Sequence, residues 1–143
     1  MPSHAEKKML PYSPTQIFDM VADVAAYPEF LPWCIATRIQ SVDDNHLVAD
    51  MVIGFKMFRE KFTSRVELNE PSSIKVTYEN GPFKYLKNNW IFVHDGNGNC
   101  IVDFSVEFEF RSQILEMAIG KIFTEAVHRM VSAFEKRADT LYG

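Results

Sequence analysis

Few residues of this chain are placed for catalysis. The histidines are His4, His46, His94 and His128. His46 and His94 sit beside turn-forming residues, His4 lies near the start, and none is spaced from another histidine or a cysteine as metal ligands are. His128 adjoins Val127 in a helical pattern without a positioned partner for proton transfer. Glu107 and Glu109 stand two apart on an alternating stretch and share its polar face. A carboxylate pair needs surroundings that drive the two pKa values apart, and a solvated face does not supply them. No nucleophile elbow, phosphate loop or dinucleotide fingerprint is present. Cys34 and Cys100 are the only cysteines. Without a CxxC spacing they read as reduced thiols that behave as small apolar side chains. The expectation is a protein that binds rather than transforms.

The distinctive residues are apolar. Tyr27-Pro28-Glu29-Phe30-Leu31-Pro32-Trp33-Cys34 puts three aromatic rings and two prolines into eight residues. Proline removes a backbone donor and biases its predecessor toward extended geometry, so the segment suits neither a long helix nor a central strand. A connection this apolar folds over something apolar, either the protein's own core or a bound ligand.

The 143 residues are expected to form one domain, residues 1–143, with 47% hydrophobic and 24% charged residues. Aromatic residues reach 13%. A net charge of −4 argues against DNA as a partner. No apolar run approaches the ~20 residues of a membrane span, and the first ten residues carry charges rather than a signal-peptide core. The expected location is cytoplasmic, with transient contact at the inner membrane.

The elements that must position the apolar residues follow from periodicity. His4–Leu10 suits an edge strand. Ser13-Pro14 starts a helix whose Ile17, Phe18, Val21 and Ala22 form a stripe. Asp23 is expected to cap a short second helix that Pro28 stops. Strands are predicted over Ile35–Val42, Leu47–Phe55, Phe58–Leu68, Ile74–Tyr78 and Lys84–His94. Gly96-Asn97-Gly98-Asn99 turns into a last strand with Val102, Phe104, Val106, Phe108 and Phe110 on one face. From Ser112 to about Leu141 the period is helical, with Leu115, Ile119, Ile122, Phe123, Ala126, Val127, Met130, Phe134, Ala138 and Leu141 on one stripe. A helix of this length spans roughly 45 Å and needs a wide apolar surface. The fold class is therefore α+β: a curved antiparallel sheet of about six or seven strands wrapped around a long C-terminal helix.

Large inward side chains fill the space between sheet and helix: Met51, Ile53, Phe55, Phe62, Leu86, Trp90, Phe92, Phe104, Phe108, Met117, Phe123 and Met130, with Val127 on the helix stripe. They make either a filled core or the wall of a cavity. Gly54–Phe58, Gly81-Pro82-Phe83 and the segment Tyr27–Trp33, with Phe30 and Pro32, bring apolar groups to loops at one end, as at a mouth for a hydrophobic guest or a partner interface. Asn88 shares a strand face with Leu86, Trp90 and Phe92. A buried amide needs a partner, either a ligand carbonyl or a group of the protein itself. On the opposite face Arg59, Lys61 and Arg65 form a basic row.

Tyr27–Cys34 resembles the start of the coenzyme-Q-binding branch of the START-like, polyketide-cyclase-related superfamily. Gly81-Pro82-Phe83 with Leu86 and Trp90-Ile91-Phe92, and Val106-Glu107-Phe108-Glu109-Phe110 leading into a helix that ends Phe134-Glu135-Lys136-Arg137-Ala138, are similar too. The resemblance implies a helix-grip fold with a tunnel between sheet and helix. It implies binding of ubiquinone or another prenyl lipid, without catalysis and with no required cofactor, in support of respiratory electron transport. The aromatic–proline segment, Leu86, Trp90 and the inward helix positions are the matching residues. No presequence like that of eukaryotic members is present, which points to a bacterial relative. The group also holds bacterial ribosome association toxins, so a ribosomal subunit or a respiratory-chain protein is the alternative partner, met by Arg59, Lys61 and Arg65. A polyketide cyclase-like activity is the third reading.

Overall fold

A computed structural model describes residues 3–55 and 58–143, the side chains of Phe55 and Phe58 excepted. Seven strands form one curved antiparallel sheet: β1 (Ser3–Leu10), β2 (Cys34–Val42), β3 (His46–Phe55), β4 (Phe58–Asn69), β5 (Ser73–Asn80), β6 (Phe83–His94) and β7 (Cys100–Phe110). The order β1-β7-β6-β5-β4-β3-β2 makes β2 to β7 a meander, with β1 laid against β7 as an edge. Every predicted strand is present, several a residue or two longer. The long C-terminal helix, α2, runs Gln113–Tyr142.

Between β1 and β2 lie α1 (Pro14–Ala22) and a 3₁₀ helix (Val24–Glu29). The start of α1 is a capping box. Ser13 Oγ accepts from the Gln16 amide at 3.2 Å, and Gln16 Oε1 accepts from the Ser13 amide at 2.9 Å. The second helix departs from expectation twice. Asp23 makes no side-chain cap, and Pro28 lies within the helix rather than ending it. The Tyr27 carbonyl accepts from the amides of Phe30 (3.2 Å) and Leu31 (2.9 Å), so the turn closes around Pro28 without the N–H that proline lacks.

Two groups of buried side chains result. The larger joins Ile17, Phe18, Met20 and Val21 of α1 to Leu47, Ala49, Val66, Ile74, Trp90, Phe92, Val102 and Phe104 on the concave face and to Val127, Phe134 and Ala138 of α2. The smaller is aromatic: Phe62, Phe83, Phe108 and Phe110, flanked by Leu115, Ile119 and Phe123. The buried residues of α2 are Val127, Phe134 and Ala138, from its midpoint onward. No residue from Gln113 to Ala126 is buried.

The second half is tied down by polar contacts as well. Tyr12 Oη donates to Asp139 at 2.5 Å, Lys8 meets Glu135 at 2.5 Å, and Arg137 meets Glu29 at 3.4 Å. At the start of the first half, Ser112 Oγ accepts from the Leu115 amide and Glu116 Oε2 accepts from the Phe110 amide at 2.7 Å.

Gly81 joins β5 to β6 at φ 143° and crosses close over β4. A Cβ there would lie 2.7 Å from Phe62 Cβ and 3.0 Å from its Cα. Gly81→Ala is therefore expected to lower stability by about 1–3 kcal/mol. Urea unfolding checks it, and an unchanged midpoint would show that β4 yields freely.

Cys34 and Cys100 are buried and free. Burial pushes each thiol from 9.0 up to about 11. The unfolded chain keeps the lower value, so this burial starts to favour unfolding as the pH rises above about 9. At pH 8 the folded thiols hold about 100-fold less thiolate than exposed ones. Thiol-reagent kinetics are expected to be at least tenfold slower for folded than for urea-unfolded protein, with no fast-reacting fraction.

Candidate functional site

Between the concave sheet and the first half of α2 lies a cavity of about 230 Å³. That is more than ten times the ~10–15 Å³ that one water requires, so it is not a packing defect of ordinary size. Its sheet side is formed by Met51, Ile53, Phe62, Val66, Leu86, Trp90, Phe104, Val106 and Phe108. Its helix side is formed by Leu115, Ile119, Ile122, Phe123, Ala126, Val127 and Met130. Alternation along the strands and the 3.6-residue period of the helix bring these together.

Stacked rings close one end. Phe83 lies 4.7 Å from Phe110 at 21°, and meets Phe62 and Phe108 edge-on at 5.4 and 5.6 Å. Phe108 in turn meets Phe123 of α2 at 5.4 Å. These rings stand between helix and sheet, and aromatic contacts of this geometry add to the area they bury. At the other end Phe134 meets Tyr27, Phe30 and Trp90.

Polar atoms on the wall are few. Asn88 Nδ2 donates to the Ser105 carbonyl at 2.9 Å, and its Oδ1 accepts from Trp90 Nε1 at 3.0 Å. The buried amide therefore finds partners within the protein. Tyr27 Oη donates to the Val21 carbonyl, and burial pushes its pKa up, so it stays neutral. Trp33 Nε1 is buried without a hydrogen-bond partner among the described residues. Among the described residues, Glu60 is the one carboxylate on the wall. Among the described residues of the wall an anionic guest would meet no cation, and an unpaired charged group would lose its hydration for little return. The geometry suits an uncharged, apolar molecule.

Most expected site residues line this cavity: Trp33, Met51, Ile53, Phe62, Phe83, Leu86, Asn88, Trp90, Phe104, Phe108, Phe123, Val127 and Met130. Three do not. Met117 is 70% exposed, because two residues beyond Leu115 is about 200° around the helix. Pro32 is exposed. Phe30 is half-buried against Tyr27 and Phe134, with the Arg137 guanidinium 5.0 Å over its ring. The side chain of Phe55, with Lys56 and Met57, falls outside the described residues. Of the flanks expected to form a mouth, Trp33 is half-buried and reaches the surface, whereas Phe83 is 3% exposed and closes its side. Leu115, Ile119 and Ile122 also line the wall, and the helical stripe already marked them. Glu60 had no such signal, since its strand register alone turns it inward opposite Ile53.

On the convex face Arg59, Lys61 and Arg65 follow one another on β4, with Arg38 aligned opposite Asp50 on the neighbouring strands. Lys61 stands 3.9 Å from Asp50, and Arg65 stands 3.9 Å from Glu67. Asp50 is buried and stays ionised: hydrogen bonds from Thr63 (2.5 Å) and Gln40 (2.7 Å) hold its carboxyl below the usual range. Among the described residues no cluster of His, Cys, Asp and Glu could hold a metal ion, and no helix is long and apolar enough to cross a membrane.

Comparison with known proteins agrees with this architecture. Residues 10–135 match the family described as polyketide cyclase / dehydrase and lipid transport. The chain is 41% identical over 143 residues to the ribosome association toxin RatA of Rickettsia prowazekii, covering 96% of this chain and 97% of that one. It is 33% identical over 144 residues to the mitochondrial coenzyme Q-binding protein COQ10 homolog B of Xenopus laevis, covering 98% of this chain and 59% of that one. A START superfamily protein from Mycobacterium smegmatis shares the fold, with TM-score 0.82 at 16% identity over 97% of this chain and 98% of that one. With its helix-grip architecture and these relatives, the chain belongs to the polyketide cyclase / dehydrase and lipid transport family of START-like proteins, in the branch that holds the RatA and COQ10 relatives.

Proposed function

We propose that this protein binds an uncharged apolar molecule of the quinone or prenyl-lipid class between sheet and α2, and holds it without transforming it. The observation that carries the reading is the 230 Å³ apolar cavity beneath a helical stretch, residues 113–126, that buries none of its own residues. Guest atoms there would replace lost packing on both sides at roughly 25 cal/mol per Å² of apolar surface covered. Typical small-molecule sites are somewhat larger, ≈ 300–1,000 Å³. The cavity therefore suits a ring or a short tail, and a long prenyl chain would extend past Trp33. The coenzyme Q-binding relative supports a quinone. In this reading the protein serves respiratory electron transport as a carrier or chaperone, from the cytoplasm and the face of the inner membrane. A cyclase-like reaction has less support, because the wall offers Glu60 and a hydrogen-bonded Tyr27 rather than a paired acid and base.

Titration with a short-tailed ubiquinone, followed by tryptophan fluorescence, is expected to saturate at one equivalent. Ala126→Leu adds three carbons to the helix wall. It is expected to weaken binding at least tenfold, while the melting temperature stays level or rises by a few degrees. No saturable binding by the parent chain, or equal affinity in a folded variant, would remove the proposal.

A second reading is favoured by the convex face. Arg59, Lys61 and Arg65, with Arg38 beside them, concentrate cations on β2 and β4 of an acidic protein, as phosphate binding requires. The 41% identical relative is named for ribosome association. In sucrose gradients at low salt the chain is expected to travel with a ribosomal subunit. Raising the salt or reversing Arg59 and Lys61 to glutamate should release it. Absence of cosedimentation at low salt would count decisively against this reading.

A further inference from the structure

Three donors on the cavity wall are already committed: Tyr27 Oη to the Val21 carbonyl, Trp90 Nε1 to Asn88, and Asn88 Nδ2 to the Ser105 carbonyl. Trp33 Nε1 is different. It is buried on the same wall and meets no acceptor among the described residues. Native interiors rarely leave such a donor unpaired, because its lost hydration is not recovered. The residue is also pinned. Its carbonyl accepts from the Gly54 amide at 2.8 Å, and the next amide, that of Cys34, donates to the Leu31 carbonyl at 3.2 Å. The backbone that carries the indole is thus fixed on both sides, at the half-buried flank of an otherwise apolar chamber.

Resting on the binding reading above, we infer that Trp33 is the polar anchor of the cavity: its indole N–H donates to an oxygen acceptor on the ligand. The ligand class narrows accordingly. A plain hydrocarbon fills the chamber but leaves the donor unpaired. A molecule with a carbonyl or ether oxygen on an apolar frame satisfies both. Selectivity then comes from one hydrogen bond, formed where competing water is scarce, and the aromatic wall of Phe62, Phe108 and Phe123 accepts the remainder without regard to its detail.

The chain has two tryptophans, so its indole N–H groups give two resolvable ¹⁵N signals. Full-length protein is titrated with a short-tailed ubiquinone and, separately, with an alkylbenzene of similar size that has no acceptor. The Trp33 signal, assigned by its loss in Trp33→Phe, is expected to move downfield with the quinone and to stay nearly still with the hydrocarbon. The Trp90 signal, already bonded to Asn88, is expected to move little. Trp33→Phe keeps an aromatic ring and removes the donor, and should weaken quinone binding about five- to tenfold while hydrocarbon affinity stays within about twofold. Equal weakening of both probes, or an indole signal unmoved at quinone saturation, overturns the anchor and leaves the cavity reading intact. Failure of the parent chain to bind either probe overturns the cavity reading and the anchor with it.

Discussion

The structure depends on a stiff helix whose fully buried contacts lie toward its C-terminal end. Phe134 sits amid Tyr27, Phe30 and Trp90 at ring distances of 5.6, 5.2 and 5.1 Å, and Ala138 is fully buried behind it. Those contacts fix the position and direction of α2. A helix without proline resists sharp bending, so its first half must continue along that line whatever lies beneath. Beneath it is a concave sheet. The rings of Phe83, Phe108 and Phe110 fill the far end, and the span between the two aromatic groups is left unfilled.

That span has an energetic cost which explains its placement. With about 24 cal/mol forgone per Å³ of cavity, an empty volume of this size corresponds to on the order of 5 kcal/mol of packing. A small domain whose net stability is about 5–15 kcal/mol carries such a deficit only where it does not separate parts that must cohere. Here it does not. Each strand is paired with its neighbour from β2 round to β1, and the larger core joins α1, α2 and the sheet on its own side. The deficit falls on the first half of α2, whose cavity-facing Leu115, Ile119, Ile122, Phe123 and Ala126 are half-covered rather than buried, so a guest that fills the chamber acts on the element with most to gain.

Alternation and helical period carry direction but not distance, and this divides what was legible in the sequence from what was not. The inward set on β7 and the stripe from Leu115 to Ala138 follow from periods of 2 and 3.6 alone. Where residue type was given more weight than phase, the expectation failed: Met117 is apolar yet points outward. The aromatic–proline segment was recognisable as a cover, but Phe30 spends its ring on Phe134 and Arg137 rather than on the cavity. Asn88 required the pairing of β6 with β7 before its partner, the Ser105 carbonyl, could be known. Phe83 looks like a loop tip in sequence and becomes the centre of a ring cluster once four strand ends converge on it. The cavity itself lay beyond reach, because a stripe that touches its partner and one that stands a few ångströms off have the same spelling.

The two faces of β4 bring the readings of this protein into one frame. Phe62, Ser64 and Val66 turn inward to the cavity, while Arg59, Lys61 and Arg65 alternate outward. A guest inside and an anionic partner outside are thus separated by one sheet, with no shared side chain, and neither excludes the other by contact. Any influence of one on the other must pass through the strand itself, and the outer surface resists it. Asp50 joins three strands through Gln40 on β2 and Thr63 on β4. Breaking that network would leave a buried charge without its donors, a large penalty for a small shift in register. Coupling between the faces would be reciprocal, and a bracing of this kind would keep it weak, so the two proposed readings call on separate regions of one sheet.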